Sequence, residues 1–191
     1  INNWKQYFHQ FYIDDILVIP SWEEVSREDQ GRMVLHIDPG TAFGTGMHET
    51  TQLCIRQLKK YVTPQTRLLD LDPCAVDAVR DNLEANHIDP DRFEMMIGNI
   101  ITDRQVQERV GYGCYDIVAA NILADVLVAL TPVVVEQMKP GAIYILSGII
   151  DDKEKTVTDA VEAAGFEVLE VNYQGEWVGV TARKPFANGR G

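Results

Sequence analysis

Long apolar runs and metal-binding cysteine patterns are both absent from this sequence, and each absence excludes a class of protein. No run of about eighteen apolar residues occurs, so a membrane-spanning helix is not expected. Cys54, Cys74 and Cys114 are widely spaced, without a Cys-x-x-Cys pair or the Cys/His spacing of a zinc site, so no metal centre is expected. Free thiols are typical of the reducing cytoplasm, where we expect the protein to work.

Positive charge is also scarce. Seventeen Lys and Arg side chains stand against 29 Asp and Glu side chains, which gives a formal net charge of −12. So acidic a chain is not expected to bind nucleic acid through the phosphates. Two interpretations of the acidity stay open, namely attraction of a basic protein partner and simple solubility. We expect a monomer.

Short apolar runs alternate with amphipathic helical patterns along the chain. This alternation is typical of a doubly wound α/β fold, a mostly parallel sheet with helices on both faces. The runs predicted as strands are residues 16–19, 34–37, 67–71, 93–97, 116–120, 142–147, 167–172 and 177–183. The turn at Gln174-Gly175 predicts a C-terminal antiparallel hairpin, because so short a connection cannot reach a parallel neighbour.

Capping residues mark the predicted helices. Asp72-Pro73 predicts a helix start, and Asn86-His87 predicts the end of that helix. Thr131-Pro132 predicts a second start, with Lys139-Pro140-Gly141 as the end. Asp151-Asp152 predicts the start of a third helix, which has an apolar face.

A Gly-rich segment from Ile37 to Thr51 carries the strongest functional signal. Gly40, Gly44 and Gly46 let the backbone take positive φ and let a ligand approach closely. The apolar helical pattern that follows places free N–H groups and the positive end of a helix dipole beside them. The segment therefore predicts a pocket wall for a polar or anionic small molecule, with an ordinary Gly-rich connector as the alternative.

The connection after the apolar run 67–71 is anomalous. An open α/β sheet carries a Gly-rich turn after its first strand and an acid after its second. Here Asp70-Leu71 continues directly into Asp72-Pro73, with neither a glycine fingerprint nor a crossover helix. Either these residues form one strand, or two strand ends are joined where roughly 20 to 30 residues are absent, and we favour the second interpretation.

The Gly-rich segment resembles the opening motif of the ribosomal protein L11 methyltransferases (PrmA). Other segments resemble later motifs of that family in the expected order, namely Pro20-Ser21-Trp22, Ala120-Asn121-Ile122-Leu123-Ala124, Leu146-Ser147-Gly148-Ile149 and Gly175-Glu176-Trp177-Val178. The resemblance implies a Rossmann-like methyltransferase fold, with a linker-like entry at 1–30 and a catalytic domain at 31–191. It also implies that the family's N-terminal substrate-recognition domain is not represented, and that a segment is missing near residues 70–72.

The resemblance implies a reaction as well as a fold. It implies S-adenosylmethionine as cofactor, no metal, and methylation of a lysine or N-terminal amine of a large-subunit ribosomal protein. Two alternatives stay open. One is a methyltransferase with another acceptor, and the other is an inactive interaction module that lacks the glycine loop.

Site residues follow from the resemblance position by position. Those implied to bind the cofactor are Gly44, Thr45, Gly46, Thr51, Asp70, Asn99 and Asn121. Asn121 is also the implied catalytic residue, while Asp70 fits the acid of either the first or the second strand. The residues expected to line the acceptor channel are Phe43, His48 and Trp177. Core packing for the two aromatic residues and loop bracing for His48 are the alternatives.

Overall fold

Eight strands and five α-helices are described in the structure, a computed structural model that describes residues 5, 8–38, 47–72 and 76–187. The strands are β1 (Phe11–Ile13), β2 (Ile16–Pro20), β3 (Met33–Ile37), β4 (Leu68–Leu71), β5 (Tyr115–Asn121), β6 (Met138–Ile150), β7 (Glu167–Gln174) and β8 (Trp177–Arg183). The helices are α1 (Glu49–Tyr61), α2 (Val76–Ala85), α3 (Arg104–Val110), α4 (Ala124–Val134) and α5 (Glu154–Ala163). The chain divides into two units, residues 1–48 with 74–96 and residues 49–73 with 97–191.

The first unit is built on a three-stranded sheet in the order β1-β2-β3. β2 is buried along its whole length. It pairs antiparallel with β1 and parallel with β3. The side chain of Asn86 ties the end of α2 to β3, since it accepts from the His36 N–H at 2.8 Å and donates to the His36 carbonyl at 2.6 Å. β1 was not predicted. β1 and β2 lie inside the segment expected to be linker-like, so the boundary at residue 30 stays a prediction.

The second unit is built on a five-stranded sheet in the order β4-β5-β6-β8-β7. β4, β5 and β6 are parallel, and β8 is antiparallel to both of its neighbours. The predicted C-terminal antiparallel hairpin is thus confirmed, with Gly175 at φ +59° in its turn. β4 ends the sheet on one side.

Helices cover both faces of the five-stranded sheet. Ile117 and Ala119 of β5 pack in the apolar cluster that holds Cys54 of α1. The alternate residues, Val118 and Ala120, pack in a second cluster with the buried side chains of α4 and α5. Because successive strand residues point to opposite faces, the doubly wound arrangement is confirmed.

The predicted helix start at Thr131-Pro132 is wrong. Both residues lie inside α4, where the Thr131 hydroxyl donates to the Leu127 carbonyl at 2.7 Å. Burial of Leu127, Leu130 and Val134 continues across this point and overrides the local capping preference. The predicted end at Lys139-Pro140-Gly141 is also wrong, because α4 ends at Val134 and those three residues belong to β6.

The strand predicted at residues 93–97 is also wrong. Those residues form no strand, and Ile97 is 82% exposed. Strand propensity reflects packing against neighbours, and no described strand pairs with this segment. The structure instead adds α3, which was not predicted, although Asp103 caps it by accepting from the Gln105 N–H at 2.9 Å.

None of the described helices could span a membrane. The longest of them, α1, has 13 residues. A membrane-spanning helix needs about 20 predominantly apolar residues.

Candidate functional site

The carboxyl ends of three parallel strands meet at one edge of the larger sheet. Leu71 of β4 pairs with Ala120, and Asn121 of β5 pairs with Ser147 of β6. Since parallel strands end on the same side, the side chains that follow them gather there. Trp177 lies at the same edge, because it begins the antiparallel β8 opposite Ile150.

A buried hydrogen bond ties α1 to this edge. The Ser147 hydroxyl donates to the Thr50 carbonyl at 2.8 Å, and both residues are buried. The first turn of α1, which carries Thr51, is thereby held at the end of β6. The Gly-rich segment therefore does lead into a helix, as the sequence predicts.

Gly148 lies inside β6 and brings that strand close to the chain that follows β5. Its φ is +82°, and a Cβ at this position would lie 2.5 Å from the Ile122 carbonyl oxygen. The Ile122 N–H in turn donates to the Ser147 carbonyl at 3.2 Å. The chain after Asn121 is thus fixed against the chain after Ser147, and only glycine fits between them.

The side chain of Asn121 is open to a ligand. Asn121 is exposed at the end of β5, and its carboxamide has no hydrogen-bond partner among the residues that the structure describes. A carboxamide offers one acceptor oxygen and two N–H donors. The position can therefore orient a polar group at the sheet edge.

Two carboxylates lie at the end of β4. The Asp70 side chain keeps solvent-exposed surface. Desolvation by the surrounding protein nevertheless raises its pKa to about 6, and the negative charge of Asp72 is the second cause. Burial, with the Asp70 charge as a second cause, raises the pKa of the Cys54 thiol on α1 to about 12. Cys54 is therefore an unreactive thiol, and Asp70 is a carboxylate with few favourable partners.

Asn99 is engaged in a turn. Its side-chain oxygen accepts from the Ile101 N–H at 3.0 Å, and its carbonyl accepts from the Asp103 N–H at 2.9 Å. This arrangement leads the chain into α3. The strand that Asn99 was expected to follow is not formed, and its contact with a cofactor stays a prediction.

Only some of the other predicted site residues lie in the part of the chain that the structure describes. Gly44, Thr45, Gly46 and Phe43 lie outside the described residues. His48 is exposed and directly precedes α1. Ser147 and Gly148 were not predicted as site residues, although both stand in the motif Leu146-Ser147-Gly148-Ile149 that signalled the family resemblance.

Solved structures show which fold this is. The crystal structure of ribosomal protein L11 methylase from Lactobacillus delbrueckii subsp. bulgaricus matches with a TM-score of 0.79 at 21% identity, covering 93% of this chain and 100% of that chain. A precorrin-6y C5,15-methyltransferase from Geobacter metallireducens matches with a TM-score of 0.54 at 13% identity, covering 78% and 94%. The fold is that of the Rossmann-like methyltransferases.

Sequence comparison defines the family within that class. The family model for ribosomal protein L11 methyltransferase (PrmA) matches residues 1–71 and 66–185, and the chain belongs to this family. Relatives named ribosomal protein L11 methyltransferase share 45% identity over 211 residues in Agathobacter rectalis and 47% over 209 residues in Lachnospira eligens. Each alignment covers 96% of this chain, which spans only 65% and 66% of the length of those relatives.

The family match is broken inside the chain. Its two parts do not follow one another but overlap at residues 66–71, where β4 lies. The Agathobacter rectalis alignment spans 211 residues and covers 96% of 191, so gaps of about 28 residues stand opposite this chain.

Proposed function

We propose that this chain carries the acceptor-binding half of the catalytic domain of an N-methyltransferase, an enzyme that uses S-adenosylmethionine to methylate an amine of ribosomal protein L11 in the cytoplasm. The observation that carries the proposal is the open carboxamide of Asn121 at the sheet edge, beside the first turn of α1. The names of the relatives support L11 as the acceptor. Lysine or the N-terminal amine is the proposed acceptor group.

Asn121 suits an amine acceptor for an electrostatic reason. An amine can act as a nucleophile only without its extra proton, and a carboxylate beside it would favour the charged ammonium form. The neutral carboxamide oxygen accepts an N–H hydrogen bond without that effect. Asn121 can therefore orient the amine while leaving its lone pair available. Trp177 is proposed to line the approach of the acceptor, where ring faces attract cations.

Acidic side chains lie close to the carboxyl ends of β5 and β6. Asp125 of α4 is 86% exposed at its side chain, and Lys153 Nζ lies 3.9 Å away. Exposed carboxylates also stand at Asp151, Asp152 and Glu176, and the Asp151 N–H donates to the Glu176 carbonyl at 2.9 Å. Negative potential of this kind draws a cationic acceptor toward the edge and speeds association at low salt.

The donor site is only partly present among the residues of this chain. S-adenosylmethionine would supply an activated methyl group, and Thr51 and Asp70 are proposed contacts to its methionine and ribose ends. A close approach of backbone to ligand after β4 needs glycine. No glycine occurs between Gly46 and Gly98, and β4 ends in two neighbouring carboxylates. The residues present therefore do not complete a site for the donor.

The incomplete donor site favours a second candidate function. Without a complete donor site, the 191 residues would hold the acceptor without methylating it, as an interaction module. The two candidates share the acceptor edge and differ in the donor half.

Titration of purified L11 into the chain, followed by calorimetry, tests the shared acceptor half. We expect saturable binding to L11 that weakens as salt is raised. A second ribosomal protein of similar size and charge is the control. Equal affinity for both proteins would contradict the assignment of L11 and leave only charge attraction.

A further inference from the structure

β4 forms an open edge of the larger sheet among the described strands. β4 has only four residues, pairs with β5 alone among the described strands, and leaves Leu68 40% exposed. A strand edge with apolar residues and unpaired backbone groups usually meets another strand or is blunted by charge. The larger sheet therefore ends early on this side.

A second apolar segment has no partner strand among the residues that the structure describes. Phe93 is 42% exposed and Ile97 is 82% exposed, in a run with the composition of a strand that forms none. Apolar side chains of this kind belong in a ladder with a neighbouring strand. The segment is consistent with a strand whose neighbour is absent.

The two acids at the end of β4 also indicate that a segment is missing. An α/β sheet places one acid at the end of a strand to bind a ribose. Here Asp70 and Asp72 stand two positions apart at one strand end, where their charges repel. Two functional acids so close together are expected if two strand ends have been joined.

We infer that Asp70 and Asp72 are the ends of two different strands, joined where a donor-binding segment of about 28 residues is missing, so that the chain as it stands does not bind S-adenosylmethionine. The inference rests on the proposed function, because it assumes the donor of that function. A segment of this length is enough for a glycine turn, a crossover helix and a strand. The overlap of the family match at residues 66–71 lies at the join.

Insertion of the missing segment tests the inference. The residues of the Agathobacter rectalis relative that stand opposite the gap are inserted between Asp70 and Leu71, and the same residues in scrambled order form the control. Calorimetry with S-adenosylmethionine and with its demethylated product measures binding. We expect saturable heat from the restored chain, and at least about 100-fold weaker binding from the 191-residue chain and the scrambled control.

Two outcomes would overturn the inference. One is donor binding by the unmodified chain at the affinity of the restored chain, and the other is a folded restored chain that does not bind. Thermal melting of the unmodified chain with the donor gives a second measurement, independent of whether the insertion folds. No shift is expected, and a saturable rise in Tm would overturn the inference.

Labelled methyl transfer separates this inference from the proposed function. A restored chain that binds the donor and labels L11 supports both. A restored chain that binds the donor but leaves L11 unlabelled supports the missing segment and contradicts L11 methylation.

Discussion

Ser147 and Thr50 are joined by a buried hydrogen bond of 2.8 Å between the Ser147 hydroxyl and the Thr50 carbonyl. The two residues are 97 positions apart, and the bond links the end of β6 to the first turn of α1. It is the contact that brings Thr51 to the sheet edge where Asn121 lies.

Removal of that hydroxyl is expected to weaken the fold. Ser147→Ala leaves a buried carbonyl with one partner fewer, at a cost of about 1 kcal/mol in the free energy of unfolding. For a chain of this size the Tm should fall by about 2 to 4 °C. Thr158→Ala is the control, because the Thr158 hydroxyl also donates to helix carbonyls but is not buried. An equal loss in both variants would contradict a special role for Ser147.

Gly148 is expected to tolerate no side chain. Gly148→Ala combines a strained φ of +82° with a Cβ 2.5 Å from the Ile122 oxygen, and should cost about 3 kcal/mol or more. Gly175→Ala is the matched control, since φ there is +59° and nothing lies within 4 Å of the added Cβ. It should cost about 1 kcal/mol. Urea denaturation measures both, and similar losses would contradict the steric argument.

Local patterns predicted the centre of the larger sheet well. β5 and β6 are buried on both faces, and their apolar runs stand out in the sequence without any knowledge of neighbours. Asn121 could be placed at a strand end for that reason. Ser147 could not be paired with Thr50, because no local spacing relates residues so far apart.

The wrong predictions have a common physical cause. Thr131-Pro132 has the local chemistry of a helix start, but the burial of Leu127 and Leu130 extends α4 through it. Residues 93–97 have the local chemistry of a strand, but a strand needs a partner in the folded chain. In each case tertiary packing, which one segment of sequence cannot show, decides the structure.

Asn121→Ala is expected to separate binding from stability. Loss of the hydrogen bond to the acceptor should weaken L11 binding about tenfold, since one such bond is worth about 1.4 kcal/mol. The exposed carboxamide contributes no described hydrogen bond to the fold, so the Tm should stay unchanged. Calorimetry with L11 and thermal melting measure the two effects.

Asn172→Ala is the control with the opposite pattern. Its side chain accepts from Gln57 at 3.0 Å and donates to Glu170 at 3.0 Å, between α1 and β7. This variant should lose stability and keep L11 binding. If Asn121→Ala also kept its L11 affinity, the proposed role of the carboxamide would be wrong.

Asp70 is expected to destabilise the fold at neutral pH. Desolvation by the surrounding protein is the main cause, and repulsion from Asp72 the second, that raises the pKa of Asp70 from 3.8 to about 6. Because the folded pKa lies above the unfolded value, the native state binds more protons in that interval, and stability falls as pH rises from about 4 to about 6. Asp70→Asn should therefore stabilise the chain at neutral pH by about 1 kcal/mol, a value reduced by solvent screening. It should change little near pH 4.

Asp116 provides the control of opposite sign. Lys139 Nζ donates a hydrogen bond to the Asp116 carboxylate at 2.8 Å, and this bond is the main cause of the lowered pKa of Asp116. A hydrogen bond from the Arg67 N–H is the second cause. A lowered pKa contributes stability above the unfolded value that is lost as pH falls. Asp116→Asn should therefore destabilise the chain at neutral pH, with a difference that shrinks in acid. Denaturation across pH measures both variants, and a parallel pH dependence of Asp70→Asn and the unmodified chain would show that the pKa of Asp70 is not raised.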